Sequence, residues 1–240
     1  MNGPDPAAPH QDIAHVHLEL LGEQRRFDVP VALGRRIPLD LLPAAREFSR
    51  QATEVVVEQA ARAGRGVSCR AGCGACCRQL VAISLIEAVA LADLVEAMAE
   101  PRRGTVRARF AAATARLESA GLLDVAGQPG RRALRGDAAL TAAARVEDTG
   151  RRYFALGIAC PFLEDEACSI HPERPLVCRE YHVSSPPSHC ADRSAGPVEK
   201  IEPPLHMSSV LARAGDRIGA TGATTLPLVL ALEVAAARGE

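Results

Sequence analysis

No apolar run in this 240-residue sequence approaches the roughly 18 residues that a membrane-spanning helix needs. No charge of one sign dominates either: 28 basic side chains face 29 acidic ones, for a formal net charge of −1. That balance leaves no electrostatic footprint for nucleic acid or for an acidic membrane surface. Residues 1–11 are polar and proline-rich, without the basic stretch and apolar run of a secretory signal. The expected location is cytoplasmic, with no membrane and no nucleic acid among the partners. Tryptophan is absent, and only two tyrosines and five phenylalanines occur. Lys200 is the only lysine; the arginine excess is read as genome composition without functional meaning. No phosphate-binding glycine loop, nucleotide signature, nucleophile–base pair or internal repeat is found. Catalytic residues therefore cannot be named apart from the cysteines.

What is present is abundant alanine, which favours helix, and enough chain to bury a core without disulfides or metal. Residues 1–11 read as a disordered tail and 12–240 as a single domain. Alternation from Ile13 and again from Arg26, around Gly22, predicts a short β-hairpin. His15 and His17 would share one strand face, as a metal pair or, more simply, facing solvent. Leu41, Leu42, Ala45, Phe48, Ala52, Val55, Val56 and Ala60 recur at helical spacing, predicting a helix within Pro38–Ala63. Leu80–Ile83 reads as a short extended run. Ser84 and Glu87 have the spacing of a capping box, so a helix starts there and runs to about Ala99. Further helices are expected at about 106–119, 131–156, 205–218 and 226–238. The fold class is mainly α, with an N-terminal hairpin and an irregular cysteine-rich layer. Prolines break residues 160–197 into turns, a stretch expected to bury little apolar surface of its own.

Eight cysteines fall into two boxes. Cys69, Cys73, Cys76 and Cys77 occupy nine residues; Cys160, Cys168, Cys178 and Cys190 occupy one later window. Clustered cysteines in a reducing cytosol are more often metal-binding or catalytic than disulfide-bonded. Thiolates are soft ligands that suit zinc, copper(I) and iron–sulfur clusters. The spacings Cys69–Cys73–Cys76 put side chains on one face of a helical turn. Equally, Gly72 and Gly74 permit a tight loop. Cys76 and Cys77 are adjacent, and neighbours on a helix point about 100° apart. Two sites, one polynuclear cluster, or one ligand beside a free thiol each accommodate the pair. Asp165 and Glu166 suggest a tight turn between Cys160 and Cys168. Arg70, Arg78, Arg174 and Arg179 flank cysteines, either offsetting the negative charge of bound thiolates or serving as ordinary surface charges. His171, His182 and His189 share the second window and are weaker ligand candidates than the thiols.

Three other readings compete. The first box matches the three-cysteine spacing of radical S-adenosylmethionine enzymes, but Ala75 stands where those enzymes carry an aromatic residue, and no run of βα units is present. A disulfide framework suits the even count but not the adequate core. Cys73–Cys76 has thioredoxin-like spacing without the βαβ surroundings.

Together the boxes resemble the CxxCxxCC family of zinc- or iron-chelating domains (YkgJ-type cysteine-cluster proteins). The resemblance rests on Cys76-Cys77 with the spaced thiols before them, Cys160-Pro161-Phe162-Leu163, Cys168-Ser169-Ile170, Arg174-Pro175, Cys178-Arg179-Glu180-Tyr181 and Cys190. It covers about residues 68–193. Two departures are visible: three residues separate Cys69 from Cys73 where the family name has two, and His171 stands where a tyrosine is common. The resemblance implies a metal-chelating module. Flagellin lysine methylases carry a similar pattern, for which an iron–sulfur cluster is implied. The leading expectation is a metal-binding protein whose eight cysteines, Cys69, Cys73, Cys76, Cys77, Cys160, Cys168, Cys178 and Cys190, chelate an iron–sulfur cluster in preference to zinc. The alternatives are an iron–sulfur enzyme acting on a protein side chain and a structural zinc module that binds a protein partner.

Overall fold

The structure, a computed structural model, describes residues 11–33, 38–123, 134, 139–219 and 225–237. The expected tail lies outside them except Gln11, which opens the first strand. The alternating segment forms the antiparallel hairpin of β1 (Gln11–Leu20) and β2 (Glu23–Ala32). Leu21 and Gly22 make its two-residue turn, both at positive φ (55° and 81°), the geometry that matches the twist of a hairpin. Phe27 and Val29 face inward onto α1 (Leu41–Arg62), where Phe27 stacks on Phe48 with ring centroids 4.7 Å apart. His15 and His17 lie on the exposed face, and His15 Nδ1 is 2.7 Å from the Asp28 carboxylate. The simpler reading of that pair therefore holds for His15. In α1 every position of the helical pattern is buried except Leu41, which is exposed at the first turn.

Beyond the first cysteine box, β3 (Ala82–Ile83) leads into α2 (Leu85–Glu96). The capping box is formed: Ser84 Oγ accepts the Glu87 N–H, and the Glu87 carboxylate accepts the Ser84 N–H. The helices α3 (Arg102–Ser119) and α4 (Ala142–Ala155) follow. The first part of the expected 131–156 helix lies largely outside the described residues. Next come β4 (Leu163–Glu164), β5 (Ala167–Cys168), α5 (Leu176–Glu180), β6 (His182–Val183), α6 (Pro187–Ala191) and β7 (Lys200–Ile201). Finally α7 (Met207–Gly219), β8 (Leu226–Pro227) and α8 (Ala231–Ala236) close the described chain.

Two expectations need correction. The last helix does not begin at Leu226: that residue pairs with Ile83, and the Leu228 N–H donates to the Val81 carbonyl at 2.8 Å. Pairing with a distant strand overrides local helical preference there. Nor is the proline-rich segment short of buried apolar surface. Phe162, Ile170, Leu176 and Val183 are all buried, at 3% exposure or less, as is Ile201 just beyond the segment. Phe162, Ile170, Leu176 and Ile201 each sink into a core built elsewhere. Phe162 and Ile170 join Leu91 and Val95 of α2 and Val106 and Phe110 of α3. Leu176 joins Leu42 and Ala45 of α1 with Leu211 of α7, and Ile201 joins Val56 and Ala60. Burying one such side chain contributes roughly 1.5–3 kcal/mol. Among the described residues, no helix is long and apolar enough to cross a membrane.

Candidate metal centre

The first box is built from consecutive tight turns and not from a helical face. Its entry is pinned beside β6: the Ser68 N–H donates to the Val183 carbonyl (2.9 Å) and Ser68 Oγ to the Ser184 carbonyl (3.0 Å). The Cys73 N–H then donates to Arg70 O (3.1 Å), Cys77 N–H to Gly74 O (2.9 Å) and Gln79 N–H to Cys76 O (3.0 Å). Gly72 takes φ +85°, where glycine carries no steric penalty. Gly74 serves a different purpose. A Cβ there would lie 2.4 Å from the Glu166 carbonyl oxygen and 2.6 Å from Leu163 Cδ1, so the box sits flush on the second one.

The second box meets it backbone to backbone: the Cys160 N–H donates to the Cys77 carbonyl at 2.7 Å. Asp165 and Glu166, at φ 48° and 58°, form the two-residue turn joining β4 to β5, which returns the chain to Cys168. The Arg78 guanidinium clamps that turn through two hydrogen bonds to Glu166 (2.9 and 2.6 Å). Cys178 arrives on α5, whose first residue, Leu176, donates its N–H to the buried Glu87 carboxylate at 2.7 Å. Cys190 rides on α6, where the Gln79 side-chain amide donates to its carbonyl at 3.3 Å.

The result is a cavity of about 320 Å³ lined by seven of the eight thiols: Cys69, Cys73, Cys76, Cys77, Cys160, Cys168 and Cys178. Cys190 opens onto a smaller cleft beside it, of about 20 Å³, which shares Cys69, Cys73 and Cys76. The residues nominated from sequence are thus brought together from both boxes. All eight are free thiols. They ring the cavity without being drawn to one point: among the described residues, no three Cys, His, Asp or Glu side chains already form an ion-sized ligand set. The donor set is that of a soft metal centre, and the apolar wall of Phe162, Ile170, Leu80 and Val81 limits water.

Electrostatics follow from this crowding. Burial pushes the Cys160 thiol up to about 12, with Cys168 and Cys76 adding repulsion. Cys178 is raised well above the usual thiol range, again chiefly by burial. Cys76 is raised first by its hydrogen bond with Cys77, then by burial. Burial also raises Cys69, Cys168 and Cys190. Arg174 opposes the rise at Cys69, Cys76 and Cys168 and lines the cavity. Of the other arginines beside cysteines, Arg70 lies exposed at the rim, Arg78 is engaged by Glu166, and Arg179 donates to the Arg174 carbonyl at 2.9 Å. Burial and the neighbouring Arg46 and Arg174 lower Arg179 to about 10.

Sequence reasoning ranked the histidines together, and the structure separates them. His171 lines the cavity but its Nε2 is engaged by Arg174. His189 Nδ1 meets the Pro197 carbonyl at 2.7 Å, away from the cavity. His182 lines the cavity, burial lowers its pKa, and its Nδ1 is buried without a partner. The sequence marks Glu87 only as a helix cap, because no local signal connects it to Leu176.

No curated protein and no solved structure matches the chain. A family model does, over residues 68–200, which spans both cysteine boxes. The chain belongs to the CxxCxxCC family, described as a "putative zinc- or iron-chelating domain".

Proposed function

We propose that this chain carries a metal centre ligated by thiolates from both boxes, drawn from Cys69, Cys73, Cys76, Cys77, Cys160, Cys168, Cys178 and Cys190, and that the centre is an iron–sulfur cluster in preference to a single zinc ion. The observation that carries this reading is the ring of seven thiols from two distant segments around one cavity. A lone tetrahedral zinc uses four ligands, whereas seven thiols with an adjacent pair suit a polynuclear centre. Arg174 places a positive charge beside thiolates that would otherwise repel one another. When bound, a cluster supplies electron-transfer capacity with a potential tuned by charge, hydrogen bonds and exposure. The protein's own part is to hold the thiols, to cover them with Phe162 and Ile170, and to balance their charge. A reducing cytoplasmic location fits eight free cysteines.

Anaerobic purification with metal and acid-labile sulfide analysis and a visible spectrum tests the reading. Iron, sulfide and a brown colour are expected. Stoichiometric zinc in a colourless protein would overturn the cluster assignment. Neither metal, with eight titratable thiols, would overturn the metal centre itself.

A further inference from the structure

The thiols are not the only donors facing the cavity. His182 follows Tyr181, whose carbonyl lies 3.9 Å from Cys69 Sγ, and both Cys69 and His182 line the cavity. The His182 backbone cannot move away. The strand β6 is paired with β7, His182 opposite Ile201, and the next residue, Val183, is buried at 1% exposure while accepting the Ser68 N–H. The ring is thereby held against the cavity wall with Nδ1 buried and without a hydrogen-bond partner. An unpartnered buried ring nitrogen is costly, and it is held in place here by the β6–β7 pairing on one side and the Ser68 hydrogen bond on the other.

The other described histidines do not share this position. His15 is engaged by Asp28, His171 by Arg174 and His189 by the Pro197 carbonyl, His206 lies 3.7 Å from the Glu180 carboxylate, and His17 is exposed on the hairpin. An imidazole that lines a cavity of seven thiols has one evident chemical use. Imidazole binds zinc and iron alike, and mixed cysteine–histidine sets occur at both zinc sites and iron–sulfur centres.

We propose that His182, through its imidazole, is a ligand of the metal centre alongside the cysteines. This rests on the metal-centre reading above, and the test separates the two. Full-length wild type and His182→Ala are purified anaerobically. X-ray absorption is recorded at the iron or zinc edge, whichever metal the wild type carries, with pulsed electron paramagnetic resonance for iron. A nitrogen shell beside the sulfur shell, with nitrogen-14 coupling in the iron case, is expected in wild type and lost in His182→Ala. Metal retention against a chelator should fall roughly tenfold or more in the variant, by analogy with the 10–100-fold losses seen on disturbing ligand shells. His182→Cys should recover retention without the nitrogen signal. A metal-loaded wild type with only sulfur in its first shell overturns the inference and leaves the metal centre standing. A wild type that holds neither iron nor zinc overturns both. Should His182→Ala fail to fold, the wild-type absorption data alone decide.

Discussion

Gly74 and Gly72 stand two residues apart and have opposite reasons for being glycine. Gly72 is there for its backbone: φ is +85° and nothing lies within 4 Å of its missing Cβ. Alanine in that left-handed region costs roughly 1–2 kcal/mol. Gly74 is there for its lack of bulk, since a Cβ would meet backbone atoms of Glu166 at 2.4 and 2.7 Å. Backbone cannot swing aside as the end of a side chain can, so Gly74→Ala must push the two boxes apart. Overpacking of this kind costs roughly 1–3 kcal/mol, and here the damage falls on the contact that aligns the thiols. Gly74→Ala is therefore expected to lose metal loading, whereas Gly72→Ala loses stability but still loads. Metal content beside a urea melt checks this; equal metal loss in both variants would contradict it. The thiols themselves give a pH prediction. Cys69, Cys76, Cys160, Cys168, Cys178 and Cys190 are all raised, so in the metal-free chain they are protonated near neutral pH. A metal must displace those protons. Loading should weaken as pH falls and strengthen as it rises, with proton release on binding, measurable by chelator competition and calorimetry in buffers of different ionisation enthalpy. Loading independent of pH would contradict those raised thiols.

Between elements, one carboxylate links the capped helix to the helix that carries Cys178. Glu87, 3% exposed, accepts the Ser84 N–H (2.9 Å) and Ser84 Oγ (2.8 Å) within α2 and the Leu176 N–H (2.7 Å) at the start of α5. Glu87→Gln keeps the shape but turns an amide NH2 toward at least one of these donors. Hydrogen bonds to charged groups contribute roughly 1.5–3 kcal/mol, so a loss of that order is expected in urea denaturation. Glu166→Gln, in a pair whose two side chains are 31% and 69% exposed, should cost no more than about 1 kcal/mol. Equal losses would show that Glu87 does not organise α5. The contrast marks what the sequence could reveal. The capping box was legible because Ser84 and Glu87 are three residues apart, and the hairpin and α1 because their periods are local. The thiols were legible because cysteines are few and fall in two groups. Leu176 as the third partner of Glu87 was not, being 89 residues away. The same holds for the strand at Leu226, whose partner is Ile83, and for the close approach at Gly74. Their causes are tertiary and leave no mark in a short window. His182 differs: it could be nominated as a ligand, but only the unpartnered state of Nδ1 distinguishes it from His171 and His189.

Across the whole molecule, the open question is how the second cysteine segment is divided between apolar anchoring and the metal. Phe162, Ile170, Leu176 and Ile201 fix it to cores made by α1, α2, α3 and α7. The direct tie to the first box is narrow and mostly polar: the Cys160–Cys77 backbone hydrogen bond, the Arg78–Glu166 pair, the Gln79–Cys190 hydrogen bond, the Ser68 contacts with β6 and the close approach at Gly74. Removing the metal should therefore loosen the seam between boxes without unfolding the chain. A ligand that binds the folded state alone stabilises it by about 2.7 kcal/mol at a hundredfold excess over its Kd. For a chain of this size each kcal/mol shifts Tm by roughly 2–4 °C, so stripping the metal should lower Tm by about 5–11 °C with helical circular dichroism largely retained. Proteolysis of the stripped protein should begin at the exposed Asp165–Glu166 turn and the exposed start of α6 around Pro186–Ser188, while α1 and α2 stay protected. An unchanged Tm would mean that the metal does not bridge the boxes. Complete unfolding would mean that the apolar anchors are too weak to hold the segment, and that metal and fold are one cooperative unit.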